Sequence, residues 1–356
     1  MRKKLWKVLA PFWKGDDRFK GWLLLFTSIG FALAMVYVSY LLTLWNQGFY
    51  DAIQNSDSGK FFAALRKFGI LAVIFVSIAV SRFYFSQLLV LRWRKWLTEY
   101  CLDRWLTGGN YYFWNHLPNK TDNPDQRIAE DVGEFVAVAI DLGLGLLSQI
   151  VTLCTFLTML WMLSGQTKIF GLNVPGFMVW VSILYAFGGT LITHLIGRKI
   201  APLNFKLQTF EANFRFQLIR VRENAESVLL MKGSDAERRK LNTSLGKVLD
   251  NIFELINHRK RLGIFTNFYS IVSNIFPIVV VAPRYFAKEI TMGQIFQTSS
   301  AFGKVSDALS FFIDSYTTVA RWSAVIDRLE GFLTSMDEAE KIRKEAELAV
   351  KAELYQ

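Results

Sequence analysis

Five ionisable residues interrupt otherwise apolar stretches of this chain: Arg82, Asp141, Lys304, Asp307 and Asp314. A charge facing lipid is costly, so such groups turn towards a bundle interior or a water-filled cavity. There they can bind a charged part of a solute, hold an ion or pass a proton. Lys304 and Asp307 are three residues apart and Asp314 is seven beyond Asp307, so one helix face can carry all three. That face is expected to line a cavity or a subunit seam. In the plainer alternative, Lys304 and Asp307 only neutralise each other. Arg82, beside Tyr84 and Gln87, is a similar case whose partner the sequence does not name.

Other chemistries find little support. His116, His194 and His258 lack metal-ligand spacing, and Cys101 and Cys154 form no cluster with them, so neither metal nor cofactor is expected. No Gly-x-Ser-x-Gly elbow and no Gly-x-x-x-x-Gly-Lys-Ser/Thr phosphate loop occurs, and the chain is not expected to be an enzyme. The formal net charge of +11 raises nucleic acid as a partner, but the basic residues sit between apolar runs. They read as topology determinants facing membrane lipid, and no nucleic-acid partner is expected.

The elements that must position these charges are membrane helices. Of 356 residues 52% are hydrophobic, a share a soluble domain of this size rarely needs. Crossing roughly 30 Å of hydrocarbon takes about 20 apolar residues. Six stretches are expected to do so: 22–44, 68–91, 142–163, 177–196, 262–281 and 294–319. The fifth is interrupted by Asn267, Asn274 and Pro277, and the sixth by its own charges. With the N-terminus inside, 33 of the 41 Lys and Arg fall in inside segments, 6 in outside loops and 2 within spans. This asymmetry places both termini in the cytoplasm. Residues 1–21 carry seven basic residues and no long apolar run, so the first span is expected to be its own signal anchor.

The fold class expected is therefore all-α, with a 22–332 membrane domain and a charged, exposed cytoplasmic helix over 333–356. The two long connections, 92–141 and 197–261, keep helical composition and read as spans continuing into the cytoplasm and turning back. In the first, Asn123 or Asp122 can cap a helix, Pro124 suits its first turn, and Asp125, Gln126, Arg127 and Glu130 give a mixed-charge face suited to docking. A merely well-started helix explains the same residues.

The strings RWRKWLTEY (92–100) and DNPDQRIAEDV (122–132) resemble the membrane domain of the SbmA/BacA peptide-transporter family. They are similar too to the YddA-type half-transporters of the ABC subfamily that includes the peroxisomal fatty-acid transporters. FRFQLIRVRENAESVLLMKG (214–233) and the segment 277–314 are closer to the YddA-type branch. The resemblance covers about residues 10 to 335. It implies an ABC-exporter-like (type IV) transmembrane domain: two six-span subunits around a central cavity, in a bacterial inner membrane. It also implies coupling elements around Pro124 to Glu130 and at Ser234, Asp235 and Glu237. The SbmA/BacA branch implies a proton-driven importer of peptides or other bulky hydrophilic solutes, with Glu211, Glu223 and Glu226 as proton carriers. The ABC branch implies a permease half energised by a nucleotide-binding subunit on another or a longer polypeptide, because no such domain is present among these residues. A receptor or scaffold that binds without transporting is the rival of another class.

Overall fold

The computed structural model describes residues 2–15, 17–118, 122–164, 166–169 and 172–354. Contacts divide the chain into two compact units, Met1–Gly176 with Arg284–Gln356, and Phe177–Pro283.

In the first unit, α1 (Arg2–Lys14) is followed by α2 (Arg18–Gln54) and α3 (Ser58–Leu106). The turn between α2 and α3 closes when Asn55 N–H returns to Asp51 O at 3.0 Å and Asp57 caps α3 by accepting from Lys60 N–H at 3.0 Å. At 1.5 Å per residue the 49 residues of α3 run about 70 Å, far beyond the hydrocarbon thickness. Its apolar part leaves Ile70, Val73, Val76, Val80 and Phe83 exposed, as a lipid-solvated helix does. After the short α4 (Asn110–Asn115), the chain re-enters through α5 (Pro124–Gln126), a π-helical turn over Arg127–Asp131, and α6 (Val132–Ser164).

Not every element is helical. Strands β1 (Gln166–Ile169) and β2 (Leu172–Pro175) pair antiparallel, Thr167 opposite Val174, a short hairpin between α6 and the following helix in an otherwise helical chain, as the all-α expectation has it.

The second unit holds α7 (Phe177–Gly197), α8 (Ile200–Glu223), α9 (Ala225–Leu230) and most of α10 (Ser234–Phe286). Helices α7 and α10 are joined by a reciprocal pair: Tyr185 Oη donates to Tyr269 O at 3.0 Å and Tyr269 Oη to Tyr185 O at 3.1 Å. The two rings stack at 4.6 Å. Gly189 permits this, since a Cβ there would overlap the Tyr269 ring. Further along, buried Asn251 donates to Leu203 O at 3.0 Å, and Ser244 to Gln217 at 2.7 Å.

The last helix, α11 (Met292–Leu354), belongs to the first unit and runs back along α2. Met292 N–H meets Gln54 Oε1 at 2.8 Å, Gly293 N–H meets Asp51 Oδ1 at 2.9 Å, and Asn46 donates to Ser300 at 2.9 Å. Gly293 has no room for a side chain, because its Cβ would fall on Gln47 O. Farther along α11, Trp322 Nε1 donates to Phe135 O on α6 at 3.1 Å.

One sequence expectation is not confirmed here and another changes. Among the described residues five helices are long and apolar enough to cross a membrane by composition, and the sixth expected span, 294–319 inside α11, is not among them. Its charges lower the hydropathy, while Ile295, Ala301, Phe302, Val305 and Ala308 are buried against the bundle. Nor do residues 333–354 form a separate exposed helix. They continue α11 without a break, and Leu333, Met336 and Ala339 enter the main core with Val8, Phe12, Trp93, Phe135 and Phe332. Burying an aromatic or branched side chain contributes roughly 1.5–3 kcal/mol, enough to hold the end of α11 and the amphipathic α1 on the body.

Candidate functional site

The charges predicted at membrane depth are drawn into one polar track in the first unit. A cavity of about 110 Å³ is lined by Arg82, Ser86, Gln87 and Asp141. Arg82 also lines the next, about 170 Å³, with Ser39, Ser148, Gln149, Lys304 and Asp307. Ser39, Lys304 and Asp307 then continue into a third of about 380 Å³, with Thr43, Asn46 and Ser300. Four helices, α2, α3, α6 and α11, each supply polar groups to it.

Helix geometry explains part of the convergence. Lys304 and Asp307, about one turn apart, share an exposed strip of α11 that lines the open space, beside the buried Val305 and Ala308. Lys304 and Asp307 do not form an ion pair within 4 Å among the described residues, so mutual neutralisation is not the arrangement seen. Among the described residues Arg82 makes one long hydrogen-bond contact, Nη1 to Met35 Sδ at 3.5 Å. The side chain of Asp314 lies outside the described residues. Arg82, Asp141, Lys304 and Asp307 can therefore contact a polar solute with groups of either sign.

The first cytoplasmic turn expected from sequence contains a buried charge cluster. Asn123 starts it in a left-handed conformation (φ 52°), and Pro124 opens the helix. Arg127, 8% exposed, pairs with Asp131, 3% exposed, across the π turn. Arg328 of α11 grips the same carboxylate with both arms, Nε to Oδ2 and Nη2 to Oδ1 at 2.8 Å each. Burial alone would raise the Asp131 pKa, but hydrogen bonds from Arg328 and Arg127 outweigh it and hold the carboxyl below its ordinary value. Gln126 donates to Glu130 at 3.1 Å on the exposed side, where Asp125 also lies.

Around this cluster, Lys4 of α1 pairs with Asp327 at 2.9 Å and Lys7 with Asp337 at 2.7 Å. Arg104 of α3 bonds Asp337 too. Sequence reasoning picked out Arg127 and missed Asp131 and Arg328. Asp131 sat unremarked in the quoted string, and nothing in the sequence joins it to a residue 197 positions away.

In the second unit, the second turn places Ser234 and Asp235 at the exposed start of α10. Glu237 accepts from Arg220 of α8 at 3.2 Å and from Lys240 at 2.8 Å, tying the two helices beside the turn. Leu229, Leu230 and Met231 at its tip are 73%, 76% and 82% exposed, an apolar patch that water does not favour. The glutamates proposed as proton carriers are not gathered into a site. Glu211, Glu223 and Glu226 are exposed and make no ion pair among the described residues.

Residues 7–286 match the family described as ABC transporter transmembrane region 2. The chain belongs to that family. It is 34% identical over 331 residues to the Escherichia coli inner membrane ABC transporter ATP-binding protein YddA, covering 91% of this chain and 59% of that protein. It is 33% identical to the Arabidopsis thaliana ABC transporter D family member 2, chloroplastic, over 94% of this chain and 46% of that protein. The human lysosomal cobalamin transporter ABCD4 is 24% identical over 92% of this chain and 52% of its own length. The chain thus spans about half the length of the curated relatives it matches. It is a multi-pass membrane protein with an ABC-type transmembrane domain, close to the YddA and D-family half-transporters. The SbmA/BacA branch is not among these matches.

Proposed function

We propose that this chain is the membrane-spanning half of an ABC transporter, working as a homodimer in an inner membrane and energised by ATP bound outside the residues described here. One observation carries the reading. Relatives named as ATP-binding proteins align with 91% of this chain but only 59% of themselves, leaving the function in their names to the rest of their length. The chain itself contains no phosphate loop and is not the catalyst.

The sixth crossing is supported by pairing: α11 leaves the Asp51 end of α2, passes Asn46 and Ser39, and reaches the Trp322–Phe135 contact, so it runs the length of an apolar helix. Aromatic groups mark both boundaries, Trp13, Trp22 and Trp93 at one and Trp45, Phe49 and Phe68 at the other. Both termini are then cytoplasmic. The polar track binds part of a bulky hydrophilic solute, cobalamin being the class that one relative's name suggests and peptides the class that the SbmA/BacA resemblance implies. Movement at the cytoplasmic turns reaches the track through rigid parts: the Arg127–Asp131–Arg328 cluster fixes the first turn to α11, which carries Lys304 and Asp307. The Leu229–Met231 patch and the Asp125–Glu130 face dock the nucleotide-binding subunit.

Proton-driven import is the reading this displaces, since the relatives that match are named for ATP binding. The test is isolation of the chain from its native membrane with whatever it holds. Vanadate-sensitive ATP hydrolysis should accompany it and fall severalfold in Leu230→Asp/Met231→Asp. Isolation as a stable dimer with neither associated nor in-chain ATPase would defeat the proposal.

A further inference from the structure

A separate cavity of the first unit, about 350 Å³, is walled by apolar groups. Leu9 and Trp13 of α1, Leu25 of α2, Trp93 of α3, Gly143 of α6 and Trp322 of α11 all reach it. Gly143 keeps it open, because a Cβ there meets no atom within 4 Å. Trp93 is 2% exposed and its indole N–H has no acceptor among the described residues, so the wall retains an unmet donor.

Beside the cavity runs the junction from α1 to α2. The Trp13 ring lies 4.8 Å from that of Trp22 and 5.4 Å from that of Trp93. Lys14, Arg18 and Lys20 of this junction are exposed and form no ion pair among the described residues, and they outnumber the two acids of the junction sequence, Asp16 and Asp17. An uncharged, largely apolar stretch, residues 21–50, follows directly after them, which puts the three cations at the edge of the hydrocarbon if this stretch spans it.

We propose that this cavity holds an acyl chain of an anionic phospholipid whose headgroup rests on Lys14, Arg18 and Lys20. An apolar space of this size gives water few hydrogen-bond partners and, if empty, forfeits the contacts of its lining. A lipid tail supplies those contacts, and the three exposed cations beside it, in excess over the two acids of the junction, favour a negative headgroup over a zwitterionic one. The bound lipid seats α1 against the membrane surface. The proposal requires that the chain spans a membrane and is independent of how transport is energised.

Native mass spectrometry of the full chain in detergent, supplied with phosphatidylglycerol or phosphatidylcholine of identical acyl chains, tests it. One retained phospholipid per chain is expected, with phosphatidylglycerol favoured about tenfold. Gly143→Leu fills the cavity and should abolish retention. Gly30→Leu, at another glycine whose Cβ meets nothing within 4 Å, should not. Lys14→Gln/Arg18→Gln/Lys20→Gln should keep a lipid while losing the headgroup preference. Unchanged retention in Gly143→Leu, equal retention of the two lipids by the unaltered chain, or a fatty acid in place of a phospholipid would each overturn the assignment. If Gly143→Leu is not monodisperse, acyl-chain photocrosslinking of the unaltered chain decides: adducts on Leu25 or Trp322 support the site, and adducts confined to other surfaces refute it.

Discussion

Replacing Asp131 by Asn keeps the shape of the Pro124–Asp131 turn and removes the charge that two arginines share. Arg127 is 8% exposed and cannot rehydrate in place, whereas the Arg328 side chain is 38% exposed and can turn to water. Breaking a buried pair costs about 3–5 kcal/mol. With Arg328 partly relieved, the lower end applies, about 3 kcal/mol. If that loss falls on local opening of the turn, amides of residues 124–136 should exchange on the order of a hundredfold faster, as each 1.4 kcal/mol is about tenfold. Hydrogen exchange read by mass spectrometry on the detergent-solubilised protein measures this directly. Arg321→Gln breaks only the exposed contact with Glu134, 3.3 Å and 68% and 37% exposed, and should change exchange less than about fivefold. Replacing the pair together, Arg127→Met with Asp131→Leu, should recover much of the protection. Because the Asp131 pKa lies below its ordinary value, the stabilisation is complete above about pH 4. It is lost as the pH falls through the lowered value. Exchange in Asp131→Asn within threefold of the unaltered protein would refute the reasoning.

Gly293→Ala puts a methyl group on Gln47 O and should weaken the Asp51 contact, lowering the thermal midpoint by several degrees; an unchanged midpoint would mean that α2 and α11 do not approach as described. At pH 8 a maleimide should spare Cys101, whose burial pushes its thiol up to about 12, until the protein is unfolded; labelling of Cys101 before unfolding would contradict the packing of α3. Lys304→Gln and Arg82→Gln should each reduce solute-stimulated ATP hydrolysis at least tenfold while leaving basal hydrolysis and the melting curve unchanged. Equal loss of both activities would assign these residues to structure rather than to the solute.

Arg82, Asp141, Lys304 and Asp307 were legible because a charge in an apolar run stands out against its surroundings, and the cost of exposing it to lipid dictates where it must go. Their mutual placement was not legible, since it depends on how four helices rotate against each other. Asp131 and Arg328 were hidden for the opposite reason: each sits among other charges, where burial leaves no trace in composition. The end of α11 misled by the same route. Leu333, Met336 and Ala339 recur every three residues, yet the acids and lysines around them suggested an exposed helix. The 294–319 stretch is the mirror case: it packs along α2, yet among the described residues its composition does not meet the threshold for a span. The Leu229–Met231 patch lay inside a string quoted for its resemblance, and only its exposure distinguishes it from core.

The central claim, a membrane half driven by ATP, is tested most directly by solute flux in proteoliposomes holding the natively isolated assembly. Labelled peptide and labelled cobalamin are offered in turn, with ATP alone or with a proton gradient alone. The account predicts movement of a solute that requires ATP, stops with vanadate and ignores the gradient. Movement driven by the gradient without nucleotide would contradict it and restore the proton-coupled reading.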